Sequence, residues 1–211
     1  GRPGRRVRVG AHPHAVTALT DGSVAVGNEA SSTVSIIRHG RVRATVGVAT
    51  QPGGLATLAG GRLLAVVSVR ERVLETYDTR TFKRVSTTPA GVGPTHLACM
   101  GKTCWVVDTQ GDSVLVFGDS GRSLTRRYDL PGGPYGIAID PVHARLYVTL
   151  PALNQVVELP AQARPHVLRR WATPRQPDTV AVDPRRQKVY VTGTASNELQ
   201  VISLASARPH S

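Results

Sequence analysis

Short apolar runs recur along the whole chain, and most are bounded by Gly, Pro, Asn or Asp. The runs are about four to eight residues long and rich in Val, Ile and Leu, and in many of them apolar and polar residues alternate. This pattern predicts β-strands with one face turned towards a core. No segment competes with these strands as a helix. The sequence therefore predicts an all-β protein.

The strands fall into five similar units, each opened by a proline. These prolines stand at positions 13, 52, 94, 134 and 177, so the spacings are 39, 42, 40 and 43 residues. The segments that follow are PHAVTA, PGGLAT, PTHLAC, PYGIAI and PDTVAV. A period of about 40 residues made of four short strands is typical of a propeller blade. We predict one domain over residues 1–211, a five-bladed β-propeller with blades at approximately 13–51, 52–93, 94–133, 134–176 and 177–211 plus 1–12.

The last predicted blade takes its fourth strand from the N-terminus. The fifth unit stops at about Leu204, after three strands, whereas residues 5–12 (RRVRVGAH) are similar to residues 126–133 (RRYDLPGG), which precede the fourth proline. We therefore expect Val7 and Val9 to lie in an outermost strand that pairs with residues 199–204. Such a closure would leave no unpaired sheet edge at the end of the ring.

Two units resemble a known family. IAIDP followed by RLYVT (residues 137–141 and 145–149), and VAVDP followed by KVYVTG (180–184 and 188–193), are similar to the inner strand, Asp-Pro turn and Tyr-Val-Thr strand of YVTN and NHL β-propellers. The first three units lack the Tyr. The resemblance implies a propeller fold, but it implies little about activity, because such propellers include binding modules as well as enzymes.

The two cysteines are expected to form a disulfide. Alignment of the units places Cys99 and Cys104 opposite each other on the first two strands of one blade, and cross-strand neighbours lie close enough to be joined. An even number of facing cysteines suits an oxidising compartment, so we expect the protein to be secreted or at the cell surface. No apolar run is long enough to span a membrane.

The chain is strongly basic, with a net charge of +12 from 23 Arg and three Lys against 14 acidic residues. Such a surface could attract a polyanion. The arginines, however, are spread over every unit with few aromatic residues between them. A solvated, edge-protecting exterior therefore explains them more simply than a nucleic-acid site does.

Candidate site residues lie at the end of the channel where each unit begins. In a propeller, the connections between blades and those between the second and third strands gather there, and loops on a rigid scaffold often bind ligands. The units place chemically different polar residues at these equivalent positions. The candidates are His14, His96, Tyr135 and Asp178 from the inner strands, and Glu29 and Asp108 from the second connections.

We interpret the protein as a non-catalytic monomer that binds a protein or small-ligand partner at this face. A lyase or hydrolase with its active site at the channel mouth is the alternative, and a polyanion-binding module is a second alternative. No catalytic motif, phosphate-binding loop or zinc-binding helix occurs, so we expect no cofactor and no metal.

Overall fold

The computed structural model describes residue 4 and residues 6–204 of the protein. This part of the chain is all-β, and its nineteen strands form five antiparallel sheets. Each sheet contains the strands of one sequence unit, and the first strands of successive sheets contact one another. The predicted five-bladed β-propeller is therefore confirmed.

The strands follow the order of the chain within every blade. Blade 1 contains β1 (Pro13–Ala18), β2 (Val24–Asn28), β3 (Thr33–Arg38) and β4 (Arg41–Gly47). Blade 2 contains β5 (Pro52–Leu58), β6 (Leu63–Ser68), β7 (Val73–Asp78) and β8 (Arg84–Pro89). Blade 3 contains β9 (Pro94–Met100), β10 (Thr103–Asp108), β11 (Ser113–Gly118) and β12 (Ser123–Asp129).

The last two blades and the short helical turns complete the described fold. Blade 4 contains β13 (Ile137–Asp140), β14 (Arg145–Leu150), β15 (Gln155–Pro160) and β16 (Arg169–Ala172). Blade 5 contains β17 (Pro177–Asp183), β18 (Lys188–Gly193) and β19 (Glu198–Ser203). Single 3₁₀ turns lie at Glu29–Ser31, Asp119–Gly121 and Pro151–Leu153.

The core lies between the blades. Each pair of neighbouring blades, 1–2, 2–3, 3–4 and 4–5, is joined by its own cluster of buried aliphatic and aromatic side chains. The second strands of blades 2 to 4 are almost wholly buried, because one face of each strand packs on the preceding blade and the other face on the following blade. Continuous apolar runs such as VLVF in β11 therefore suit strands that are covered on both sides.

Blades 1 and 5 are not packed in this way. Among the described residues, no core cluster joins blade 5 to blade 1. Val16 of β1 is 68% exposed, whereas the equivalent Leu55 and Leu97 are 8% and 7% exposed because each packs on the preceding blade. Val201 of β19 is 48% exposed. The seam between the first and last blades thus leaves apolar side chains open to solvent.

The predicted closure of the last blade by an N-terminal strand is wrong. In the part of the chain that the structure describes, blade 5 has three strands, and residues 6–9, which include Val7 and Val9, form none. The chain that follows them is held at blade 1, since the His12 carbonyl accepts a 2.9 Å hydrogen bond from the Glu29 N–H. Alternation in the sequence is therefore not enough to bring this segment to β19.

The predicted disulfide is confirmed. Cys99 on β9 and Cys104 on β10 are direct cross-strand partners with Cα atoms 4.1 Å apart, and their sulfur atoms are bonded. Cys104 is fully buried between blades 2 and 3. The disulfide therefore fixes the hairpin that begins with β9, the strand that carries His96.

The outermost strands present basic side chains to solvent, as the sequence suggested. Arg41 and Arg43 on β4 and Arg126 and Arg127 on β12 are exposed. Some outer arginines are paired with acids: Arg43 and Arg127 pair with Asp21 and Asp129, and Arg84 pairs with the buried carboxylate of Glu75 at 2.6 Å. In residue 4 and residues 6–204, no helix has the length and apolar character needed to cross a membrane.

Candidate functional site

Four of the predicted candidates line one cavity at the centre of the propeller. His14, His96, Tyr135 and Asp178 come from blades 1, 3, 4 and 5, and together with neighbouring backbone they enclose a cavity of about 280 Å³. Each is one or two residues from the proline that opens its unit. The repeat therefore brings residues between 39 and 164 positions apart to a single point, because equivalent positions of a propeller surround the same axis.

The aromatic rings of the cavity are close to one another. The rings of His14 and His96 have centroids 5.5 Å apart. His96 and Tyr135 meet edge to face at 4.7 Å, a favourable arrangement of two rings. His14 Nδ1 lies 3.1 Å from the Gly53 carbonyl oxygen, and since a carbonyl can only accept, this nitrogen donates its proton.

His96 is the most strongly perturbed titratable group of the site. Burial, followed by the positive charge of His14, lowers the pKa of His96 to about 4. The Asp178 carboxylate, the backbone of Tyr135 and the Glu29 carboxylate act in the opposite direction but do not offset the burial. The Nδ1 atom of His96 is buried and has no hydrogen-bond partner among the described residues. The cavity thus contains a neutral imidazole with an unused polar atom.

Asp178 and Glu29 give the cavity mouth a negative potential. Burial raises the pKa of the Tyr135 hydroxyl, and the charges of Asp178 and Glu29 raise it further. Asp178 makes one long hydrogen bond, 3.4 Å from the hydroxyl of Thr179. Glu29 is not part of the cavity wall, and its carboxylate accepts a 2.8 Å hydrogen bond from the Gln51 amide. Asp178 is therefore the carboxylate placed to contact a ligand, while Glu29 acts from nearby.

Asp108 lies away from this cavity, contrary to its grouping with the other candidates. It is 1% exposed, and one carboxylate oxygen accepts a 2.7 Å hydrogen bond from the Gly93 N–H. The N–H of Val92 also points to this carboxylate. Asp108 therefore holds the connection between blades 2 and 3, a role that the spacing of the sequence does not distinguish from ligand binding.

Glycine and apolar residues of the inner strands complete the cavity wall, and none of them was among the candidates predicted from the sequence. Leu55, Leu97 and Val180 form its apolar part. Gly136 also lies in the wall, and a Cβ atom there would fall 2.5 Å from the Asp178 carbonyl oxygen. The glycine next to Tyr135 is the signal in the sequence that points to this wall, since it lets blades 4 and 5 approach closely.

A second cluster of charged residues lies between blades 4 and 5, around a smaller cavity of about 150 Å³. The buried carboxylate of Glu158 pairs with Arg145 at 3.1 Å and with Arg169 at 2.5 Å. The buried Asp140 pairs with His143 at 2.7 Å. These groups satisfy one another, so the cluster is explained by structural ion pairing.

No group of three or more His, Cys, Asp or Glu side chains within residue 4 and residues 6–204 is arranged to hold a metal ion. The central cavity contains two imidazoles and one carboxylate, but the His14 ring is engaged with a backbone carbonyl. What the cavity offers is hydrogen-bond acceptors, three aromatic rings and an apolar wall.

Comparison with known proteins supports the fold. No family model matches the chain, and no curated protein matches it, so the YVTN and NHL likeness remains a resemblance. A protein of unknown function from Desulfotomaculum acetoxidans is similar in structure with a TM-score of 0.79 and 17% identity, over 94% of this chain and 71% of that chain.

Two enzymes are also similar in structure. A periplasmic gluconolactonase from Pseudomonas aeruginosa has a TM-score of 0.77 and 19% identity, over 93% of this chain and 68% of that chain. Virginiamycin B lyase from Staphylococcus aureus has a TM-score of 0.69 and 14% identity, over 90% of this chain and 69% of that chain. At these identities the likeness establishes the β-propeller fold alone.

Proposed function

We propose that this protein is a binding module that holds a small polar ligand in the central cavity without transforming it. The observation that carries the proposal is the meeting of His14, His96, Tyr135 and Asp178, from four different blades, around one concave space. Four chemically different polar residues at equivalent positions are expected of a ring that has been specialised at one site, rather than of a symmetric scaffold. Concave, partly apolar spaces with a few convergent polar groups are the usual form of a ligand site.

The state of His96 supports the proposal. A buried nitrogen without a partner is costly, because a polar atom loses its hydrogen bonds to water on burial. A ligand that donates a hydrogen bond to Nδ1 would remove this cost. Water in the cavity could do the same, but it would be displaced by a ligand with a matching donor.

An acid–base enzyme at the same cavity is the second candidate. It is favoured by the fold shared with a gluconolactonase and a lyase, and by the nearness of an imidazole to a carboxylate. Against it stands the pKa of His96, about 4, since a general base works best when its pKa is near the operating pH. We therefore place binding first.

The proposal also covers the location of the protein, its oligomeric state and an alternative ligand class. A disulfide such as Cys99–Cys104 persists in oxidising compartments, which supports a secreted or cell-surface location. We propose a monomer. Binding of a polyanion by the exposed outer arginines is the remaining alternative, and it predicts an affinity that falls steeply with salt.

A thermal-shift screen of small polar molecules tests the proposal. We expect one class to raise the melting temperature of the wild type, and we expect Asp178→Asn to abolish that rise. Asp129→Asn is the matched control, because Asp129 lies on the exposed outer strand β12 and the variant loses the same charge far from the cavity. If both variants respond as the wild type does, the cavity is not the binding site. Turnover of a lactone or ester that Asp178→Asn abolishes would favour the enzyme.

A further inference from the structure

The central cavity combines three aromatic rings with a carboxylate. The rings of His14, His96 and Tyr135 lie within 5.5 Å of their neighbours, centroid to centroid, so they form one continuous aromatic wall. Asp178 stands beside this wall. Aromatic faces and carboxylates both attract positive charge, the first through the negative potential above the ring and the second by direct Coulomb interaction.

The charges around the cavity contrast with those of the whole chain. The protein has a net charge of +12, yet within residue 4 and residues 6–204 neither Lys nor Arg lines the cavity. The charged groups that act on His96 are the imidazole of His14, when protonated, and the carboxylates of Asp178 and Glu29. A protonated His14 would repel a cation, so the cavity suits a cation at a pH at which imidazoles are neutral. The same two carboxylates act on Tyr135. The cavity mouth is therefore a small acidic region on a basic protein.

We infer that the cavity takes a compact organic cation, of the quaternary or tertiary ammonium class, packed against the rings of His14, His96 and Tyr135 and paired with the carboxylate of Asp178. The inference rests on the proposed binding function and names the ligand class. Such a cation suits this cavity because its alkyl groups pack on the rings while its charge is not fully hydrated. An anion such as a sugar acid would be repelled by the same carboxylates.

The size of the cavity restricts the ligand further. Its volume of about 280 Å³ is at the lower end of ligand pockets, which commonly measure about 300 to 1,000 Å³. A trimethylammonium group with a short hydroxylated substituent fits this description, because the quaternary nitrogen has no N–H and the hydroxyl is then the donor available to His96 Nδ1. The apolar contribution of Leu55, Leu97 and Val180 favours alkylated amines over ammonium itself.

A matched pair of small molecules tests the ligand class. Choline and 3,3-dimethylbutan-1-ol have the same shape and differ in charge, so their affinities can be compared by calorimetry at pH 8, where an ordinary imidazole is neutral. We expect the wild type to bind choline at least about fivefold more tightly than the neutral alcohol. We expect Asp178→Asn to reduce this preference to less than about twofold, and the control Asp129→Asn to retain it.

Tyr135→Leu supplies a second readout, because it removes an aromatic face while it leaves every carboxylate in place. This variant should lose affinity for choline without losing its structure, which far-ultraviolet circular dichroism would check. Equal affinity of the wild type for both molecules would overturn the cation inference and leave binding standing. The cation inference is also overturned, and binding again stands, if neither molecule binds while other polar molecules raise the melting temperature. If no molecule of any class binds, both the inference and the proposed function fail.

Discussion

The burial of His96 predicts how the stability of the protein depends on pH. An ordinary His takes up a proton near pH 6.5, whereas in the fold the pKa of His96 is about 4. Between these values the unfolded chain binds more protons than the folded chain, so acid favours unfolding. The stabilisation is complete above pH 6.5 and is lost as the pH falls from 6.5 to 4. Glutamine at position 96 does not titrate and removes this dependence.

The magnitude follows from the two pKa values. A pKa difference of one unit corresponds to about 1.4 kcal/mol. Below pH 4, where His96 is protonated in both states, the folded state has therefore lost about 3 kcal/mol of stability relative to neutral pH. At pH 5 the loss is about 2 kcal/mol. This is a large share of the stability of an ordinary domain, which is about 5 to 15 kcal/mol.

The assay is urea unfolding of the wild type and His96→Gln at pH 7, 6, 5 and 4.5. Carboxylates titrate in both proteins, so the difference between the two pH profiles isolates His96. The wild type should lose about 2 kcal/mol more than the variant between pH 7 and 5. His39→Gln is the control, because His39 is exposed in the turn between β3 and β4, and it should follow the wild type. Parallel profiles for the wild type and His96→Gln would refute the buried, neutral imidazole.

Three further predictions concern stability. Replacement of Cys99 and Cys104 by Ser should lower the free energy of unfolding by about 2 kcal/mol, measured by urea unfolding, and a reductant should have no further effect on that variant. Glu75→Ala should cost about 3 kcal/mol by the same measurement, because it leaves the Tyr77 hydroxyl and a buried N–H without an acceptor; Glu71→Ala, at an exposed carboxylate, should cost under about 1 kcal/mol. Amide hydrogens on the outer edge of β19 should exchange faster than those of β18, and strong protection there would contradict the three-stranded last blade.

The repeat explains why so much of the fold could be predicted from the sequence. Four of the five opening prolines begin an inner strand, and Pro134 precedes β13 by three residues, so Tyr135 lies just before its strand and not on it. The regular spacing of the prolines nevertheless predicts that His14, His96, Tyr135 and Asp178 lie around one axis. The Cys99–Cys104 pair was predictable for a related reason, because a short turn between two strands determines which residues face each other. These are local relationships repeated in every unit.

The predictions that differ from the structure depend on relationships between distant segments of the chain. The alternation at Val7 and Val9 suits an outer strand, but it does not say which sheet edge lies within reach, since that depends on how far the five blades close around the axis. Asp108 occupies a connection like those of the ligand candidates, yet the direction of its side chain is set by the N–H groups of Val92 and Gly93. The burial of His96 likewise depends on residues of neighbouring blades, so the sequence around His96 does not predict it.

The central claim is that the cavity of His14, His96, Tyr135 and Asp178 is where the ligand binds. Ring-proton NMR spectra with saturating choline, or with a molecule found in the thermal-shift screen, test it most directly. The signals of His14, His96 and Tyr135 should shift, while those of His143 and Tyr190, which lie outside the cavity, should not. Unchanged signals from the three cavity rings, with bound ligand demonstrated by calorimetry, would contradict the account.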